Sequence, residues 1–403
     1  MGAALLAGPA PGALALHSPG PLSAVASDAS PLLPCAFGVA EASGGGQVDV
    51  GELEQCVALQ AARKARVGAA ILRKALQAPE LAKIVGYAVG LRAAHELSVV
   101  SRAHGHGVRE VLPLLSVELP PQLYVCGGSS GTAETSITER LNLFTGRWEQ
   151  MPPMLTARRW CGAAAIDGML YVVGGHNSGH YLNTAERFDT ALGRWEELPR
   201  MTTAREACAV VAVAGALGVF GGSHNEQALV AAECFLPAER RWEALPPLPA
   251  ARDACAATAA DGEVFLCGGR EASEFLATVD RYDPRSSCWH AMPPMHAARL
   301  GCAAASSGRV LYVFGGHGNG QALAAVERFD LDQGLWDLIE PMPTPRLGCV
   351  ALSIPGRMLV FGGHDGEQAV GAAECLDLES LQWLQLQAMA TPRYACAGAA
   401  TAA

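Results

Sequence analysis

The sequence repeats itself every 47 residues, and no other feature restricts the fold as strongly. Glycine pairs stand at 127–128, 174–175, 221–222, 268–269, 315–316 and 362–363. Tryptophan follows in the same register at Trp148, Trp195, Trp242, Trp289, Trp336 and Trp383. So do Arg158, Arg205, Arg252, Arg299, Arg346 and Arg393, and the acids Glu139, Glu186, Glu233, Asp280, Glu327 and Glu374. Cys161, Cys208, Cys255, Cys302, Cys349 and Cys396 complete the set. A fixed period of this length, kept without insertion, is the signature of a ring or array of equal units.

One unit predicts four short strands. "CGAAAIDGMLYVVGG" is two apolar runs around an Asp-Gly turn, a hairpin signal. "NTAERFDTALGRWEEL" is two more strands around a turn. Four short strands in about 45–50 residues match one propeller blade. The repeated arginine and acid are opposite charges in fixed register, so we expect them to pair, because a buried unpaired charge is costly. The tryptophan is expected to fill the wedge between blades. Closure is also legible. Ala403 and Pro121 fall on the repeat position of Gly168, so the first unit lacks its own Arg–Cys strand and "TPRYACAGAATA" supplies it. The expected fold is therefore all-β, a six-bladed propeller over 117–403 closed by its C-terminal strand and preceded by a small helical region.

The period and the glycine-pair-to-tryptophan pattern resemble the kelch-repeat family. That resemblance implies protein recognition rather than catalysis. It also implies a binding mouth lined by the loop after each glycine pair and the turn around each repeated arginine. There the residues differ between units. After the glycines stand Ser129, His176, Ser223, Arg270, His317 and His364; after the arginines stand Arg159, Glu206, Asp253, Leu300, Leu347 and Tyr394. Trp160 occupies a place held elsewhere by Ala or Gly, and Tyr181 and Phe275 are large where other units have Glu134, Ala228, Ala322 and Ala369. Arginine and aromatic side chains are favoured interface anchors. The expected partner-binding set is thus Arg159, Trp160, His176, Tyr181, Arg270, Phe275, His317, His364 and Tyr394.

Before the repeats the sequence changes character. Residues 1–30 read as a disordered Ala/Gly/Pro tail, without the basic start of a secretory signal. Within 31–76, the stretch from Glu41 to Glu52 is similar to an EF-hand loop, with Gly46 at the bend, Val48, Asp49 and the final Glu. Glu41, Ser43 and Gly45 weaken or lack the early oxygen ligands, so the loop reads as a relic rather than a calcium site. Residues 77–113 resemble an F-box: Pro79, Glu80 and Leu81 match its opening motif, and Ile84, Val85 and Tyr87 its first apolar face. That resemblance implies docking to a Skp1-type adaptor through Pro79, Glu80, Leu81 and Ile84, and hence a substrate receptor of a cullin-type ubiquitin ligase. A small helical bundle is the other reading of these residues. A kelch scaffold in cytoskeletal or signalling assembly is the other reading of the function.

Charge and cysteine usage narrow the remaining classes. The net charge is −10, and all three lysines, Lys64, Lys74 and Lys83, precede the repeats. After Leu114, 20 basic residues face 31 acidic ones, a poor surface for nucleic acid. No apolar run reaches the ~18–20 residues of a membrane helix. Thirteen cysteines, none in a CxxC pair, suggest small buried hydrophobes in a reducing compartment, cytoplasm or nucleus. No nucleophile, P-loop or dinucleotide motif is present. His176, His317 and His364 lie in units too far apart to form a metal site, so no cofactor is expected.

Overall fold

The computed structural model describes residues 121–401, apart from 132 and 144. The expectations for 1–30, 31–76 and 77–113, with Pro79, Glu80, Leu81 and Ile84, lie outside the described residues. Those residues contain strands and no helix.

Six four-stranded antiparallel sheets form the blades. Blades 2 to 6 span Gly162–Leu198, Ala209–Leu245, Ala256–Met292, Ala303–Ile339 and Val350–Leu386 in sequence order. In each the strands lie side by side in chain order, so every connection is a hairpin or short loop. The Asp-Gly hairpin is as the sequence predicts. Ile166 pairs with Met169, and Asp167 and Gly168 take φ of 49° and 74°, the left-handed pair that matches strand twist.

Burial differs by strand and explains composition. The six inner strands crowd around the axis and are built from small residues such as "GAAAI" and "AATAA". A Cβ on Gly162 would stand 2.1 Å from Val210 Cγ2 in the next blade. The second strands, such as Met169–Val173, are covered on both faces and read as unbroken apolar runs. Six apolar clusters result, one at each junction between blades; Tyr171 and Val173 meet Leu217, Val219 and Phe235 at one of them. The repeated tryptophans reach across these junctions. Trp195 Nε1 donates to Pro152 O and Trp242 Nε1 to Pro199 O, each at 2.8 Å.

Blade 1 is made from both ends of the repeat region. Its strands Gln122–Cys126, Thr138–Asn142 and Arg147–Met151 are completed by Ala397–Thr401 at the inner position. The register runs from Gln122 opposite Thr401 to Cys126 opposite Ala397. Trp148 Nε1 seals the same junction on Gln387 O at 2.8 Å, and Arg393 pairs with Glu139. No blade is left with an open inner edge.

Deleting 392–403 removes this strand and the arginine together. We expect the cooperative thermal transition of the propeller to disappear, read by calorimetry. An unchanged transition would mean that closure does not hold the ring.

Candidate functional site

Each repeated arginine sits one residue before the mouth and fixes the chain there. Arg158 Nη1 donates to Gly174 O at 2.7 Å and to Thr184 O at 3.1 Å, while Nη2 pairs with Glu186 Oε1 at 2.5 Å. Glu186 also accepts from the backbone N–H of Leu155 and Thr156. The carbonyl of the same arginine accepts from the second glycine of the preceding unit, Gly128 N, at 2.8 Å. Glycine is required for this approach. A Cβ on Gly174, at φ +62°, would fall 2.7 Å from Arg205 O.

The residue after each arginine is bonded to the residue after each glycine pair. Arg159 faces His176, Glu206 faces Ser223, Asp253 faces Arg270, Leu300 faces His317, Leu347 faces His364 and Tyr394 faces Ser129. In four units the glycine loop folds into a two-residue ribbon, such as His176–Asn177 with His180–Tyr181. These ribbons are absent from the four-strand reading of the sequence, because two residues carry no periodic signal.

One step further along, the backbone closes into a circle. Trp160 N donates to Ala395 O, Ala207 N to Trp160 O, Ala254 N to Ala207 O, Gly301 N to Ala254 O, Gly348 N to Gly301 O and Ala395 N to Gly348 O, at 2.7–2.9 Å. All six residues have left-handed φ, from 49° to 61°. That backbone explains why Ala and Gly occupy the position. Trp160 is the exception and is not a rim residue. Its side chain is 6% exposed and crosses the axis. Its Cη2 would lie 3.3 Å from a Cβ on Gly348 and 3.7 Å from one on Gly301. Its indole Nε1 is buried without a hydrogen-bond partner among the described residues. A cavity of about 110 Å³ is bounded by Trp160, the other circle residues and the cysteines that follow them.

The mouth around this floor has two halves. Leu300 and Leu347 pack with Trp160, Ala207, Ala254 and Ala395, flanked by half-buried Phe275, Ala322 and Tyr394. Phe275 meets His317 edge-on at 5.6 Å, and Tyr394 meets His364 at 5.3 Å. The opposite half is charged. Arg270 holds Asp253 through two hydrogen bonds of 2.8 and 3.2 Å. Arg159 Nε lies 3.5 Å from Glu134 Oε1, which also contacts His176 Nδ1 at 3.3 Å. Glu206 is 5% exposed; its backbone pairs with Ser223, and among the described residues its carboxylate forms no side-chain hydrogen bond or ion pair. Burial raises its carboxyl above the usual value near 4.5; His176 and Arg159 pull it down, Asp253 pushes it up and Arg270 pulls it down.

The sequence-predicted residues therefore divide. Arg159, His176, Arg270, Phe275 and Tyr394 come together around the mouth, with His317 against Phe275. Tyr181 lies beside them between His176 and His224, and its hydroxyl accepts from Glu226 N at 3.2 Å. His364 is 3% exposed, burial lowers its pKa, and its Nδ1 accepts from Gly366 N; it supports the mouth more than it faces a partner. The sequence reading passed over Glu206, Asp253, Leu300 and Leu347. Their signal was the order of residues in one register column: three charged units, then three apolar or aromatic ones.

Among the described residues, no three His, Cys, Asp or Glu side chains stand together as metal ligands. The eleven described cysteines are free. Burial pushes the Cys208 and Cys302 thiols up to about 11, so they are not thiolates at neutral pH.

The KLHDC2/KLHL20/DRC7 Kelch-repeats domain matches residues 115–298 and 294–403. The chain belongs to the kelch-repeat family, whose propellers generally serve as non-enzymatic interaction scaffolds. No curated protein matches the chain.

Two substitutions test the mouth. Trp160→Ala removes a buried ring but keeps a residue that two neighbouring units carry; it should cost about 3 kcal/mol, read by chemical denaturation. An unchanged midpoint would show that the indole does not pack across the axis. Glu206→Gln keeps shape and removes charge. A raised folded pKa means that stability falls as pH climbs through that value. The variant should thus melt above the wild type near neutral pH, with the gap closing as pH falls to about 4.5. A variant that melts lower near neutral pH would show that a favourable contact holds the carboxylate.

Proposed function

We propose that this protein captures a segment of a partner protein in the propeller mouth, as the substrate receptor of a cullin-type ubiquitin ligase. The observation that carries the capture is the contrast between frame and mouth. Arginine, acid, glycine pair, tryptophan and cysteine are the same in every unit, whereas the mouth column runs Arg159, Glu206, Asp253, Leu300, Leu347, Tyr394. A role played six times is architectural. A surface with one charged and one apolar half, resting on a rigid backbone circle, has a direction and can distinguish ligands.

The ligase link rests on the F-box-like segment. Pro79, Glu80, Leu81 and Ile84 would dock a Skp1-type adaptor and bring the captured protein to the ligase. The eleven free thiols suit the cytoplasm or nucleus. A kelch scaffold without ligase contact would share the mouth and lack the adaptor.

Affinity capture with the full chain separates the two. The wild type should retain a Skp1-type adaptor together with a set of client proteins, identified by mass spectrometry. Leu81→Asp should lose the adaptor and keep the clients; Tyr394→Ala, at a half-buried mouth residue, should do the reverse. Clients without adaptor would leave the scaffold reading standing alone. Clients that ignore Tyr394→Ala would remove the mouth from the account.

A further inference from the structure

We infer that the mouth selects a peptide segment bearing an arginine or lysine side chain close to an aliphatic or aromatic one, with Glu206 as the seat of the cation. This inference rests on the mouth being the capture site.

The first observation is an imbalance of charge. Glu134, Glu206 and Asp253 face Arg159 and Arg270. Arg270 is hydrogen-bonded to Asp253, and Arg159 stands in a looser ion pair with Glu134 at 3.5 Å. His176 leans on Glu134 as well. Glu206 alone is left, 95% removed from solvent, its carboxylate without a side-chain partner among the described residues. A buried carboxylate in that position is an acceptor awaiting a donor. An incoming anion would have to displace Asp253 from Arg270, or share Arg159 with Glu134 against the repulsion of that carboxylate. An incoming cation displaces nothing.

The second observation is independent of charge. The indole N–H of Trp160 is also buried without an acceptor. A peptide backbone carbonyl that reached the floor would accept a hydrogen bond from this N–H. Small inorganic cations have no such acceptor.

The third is the neighbouring half of the mouth. Half-buried Phe275 and Tyr394, backed by the buried Leu300 and Leu347, form an apolar wall beside Trp160. A segment crossing the mouth therefore places a cation in blades 2 to 4 and an apolar side chain in blades 5, 6 and 1. The long-range field agrees in sign, since the chain after Leu114 carries more acid than base.

The test uses the immobilised full chain and a randomised library of heptapeptides, acetylated and amidated so that side chains carry the only charges. Retained peptides should be enriched in Arg or Lys within three positions of Leu, Ile, Met or Phe. Glu206→Gln should weaken them about 10- to 100-fold. Replacing the peptide arginine by citrulline should cost as much in the wild type and nothing further in the variant. Peptides retained without Arg or Lys, or equal binding to Glu206→Gln, overturn the inference and leave the capture site intact. The same holds if no peptide is retained while client capture still depends on Tyr394. If client capture is indifferent to Tyr394→Ala, the capture site itself falls.

Discussion

The buried arginine–carboxylate clasp is the constraint on which the rest of this structure depends. Arg158, Arg205, Arg299, Arg346 and Arg393 are completely removed from solvent, and Arg252 nearly so. Buried pairs of this kind add little net stability, but breaking one costs about 3–5 kcal/mol. Their value here is positional. One guanidinium ties its loop to the glycine carbonyl of its own blade, and the carbonyl of the same residue holds the glycine of the blade before it. Blade assembly and mouth geometry are thus set by a single residue. The acid adapts to its neighbours. Glu186 and Glu233 each accept two loop amides. In blade 4 one of those loop positions is Pro249, which has no N–H, and the acid is the shorter Asp280. In blade 6 it is Pro343, and the Thr344 hydroxyl takes over the contact to Glu374 at 2.7 Å.

On that frame the mouth combines a symmetrical backbone with an asymmetrical set of side chains. The circle of six hydrogen bonds treats every blade alike. Only Trp160 breaks its pattern with a large side chain at positive φ, where a bulky residue is an outlier. The asymmetry gives the mouth a floor and two unlike walls. Glu206 is the residue in which this asymmetry leaves a charge uncompensated.

Fold was more legible in the sequence than site, for a physical reason. A spacing kept six times fixes the blade number, the closing strand and the pairing of Arg158 with Glu186, because each follows from register alone. Register does not say where a side chain points once the backbone turns left-handed. Trp160 therefore looked like a rim anchor and is a plug. Nor does register show whether a charge finds a partner. Arg270 and Asp253 find each other across a bridge between non-neighbouring residues, and Glu206 finds none; only the three-dimensional arrangement separates the two cases. His364 was read as a rim residue because its polarity is visible in sequence, while its burial is not.

The shared blade has a consequence for how the protein is made. The inner strand of blade 1, Ala397–Thr401, is translated after every other strand of the propeller, whereas its partner Gln122–Cys126 is the first to emerge. Through the synthesis of five blades the strand "QLYVC" presents an unpaired, apolar edge, the kind of surface that recruits wrong partners. The ring therefore cannot mature blade by blade from its N-terminal side. Its final geometry, mouth included, waits for the closing strand to be made and to pair with Gln122–Cys126.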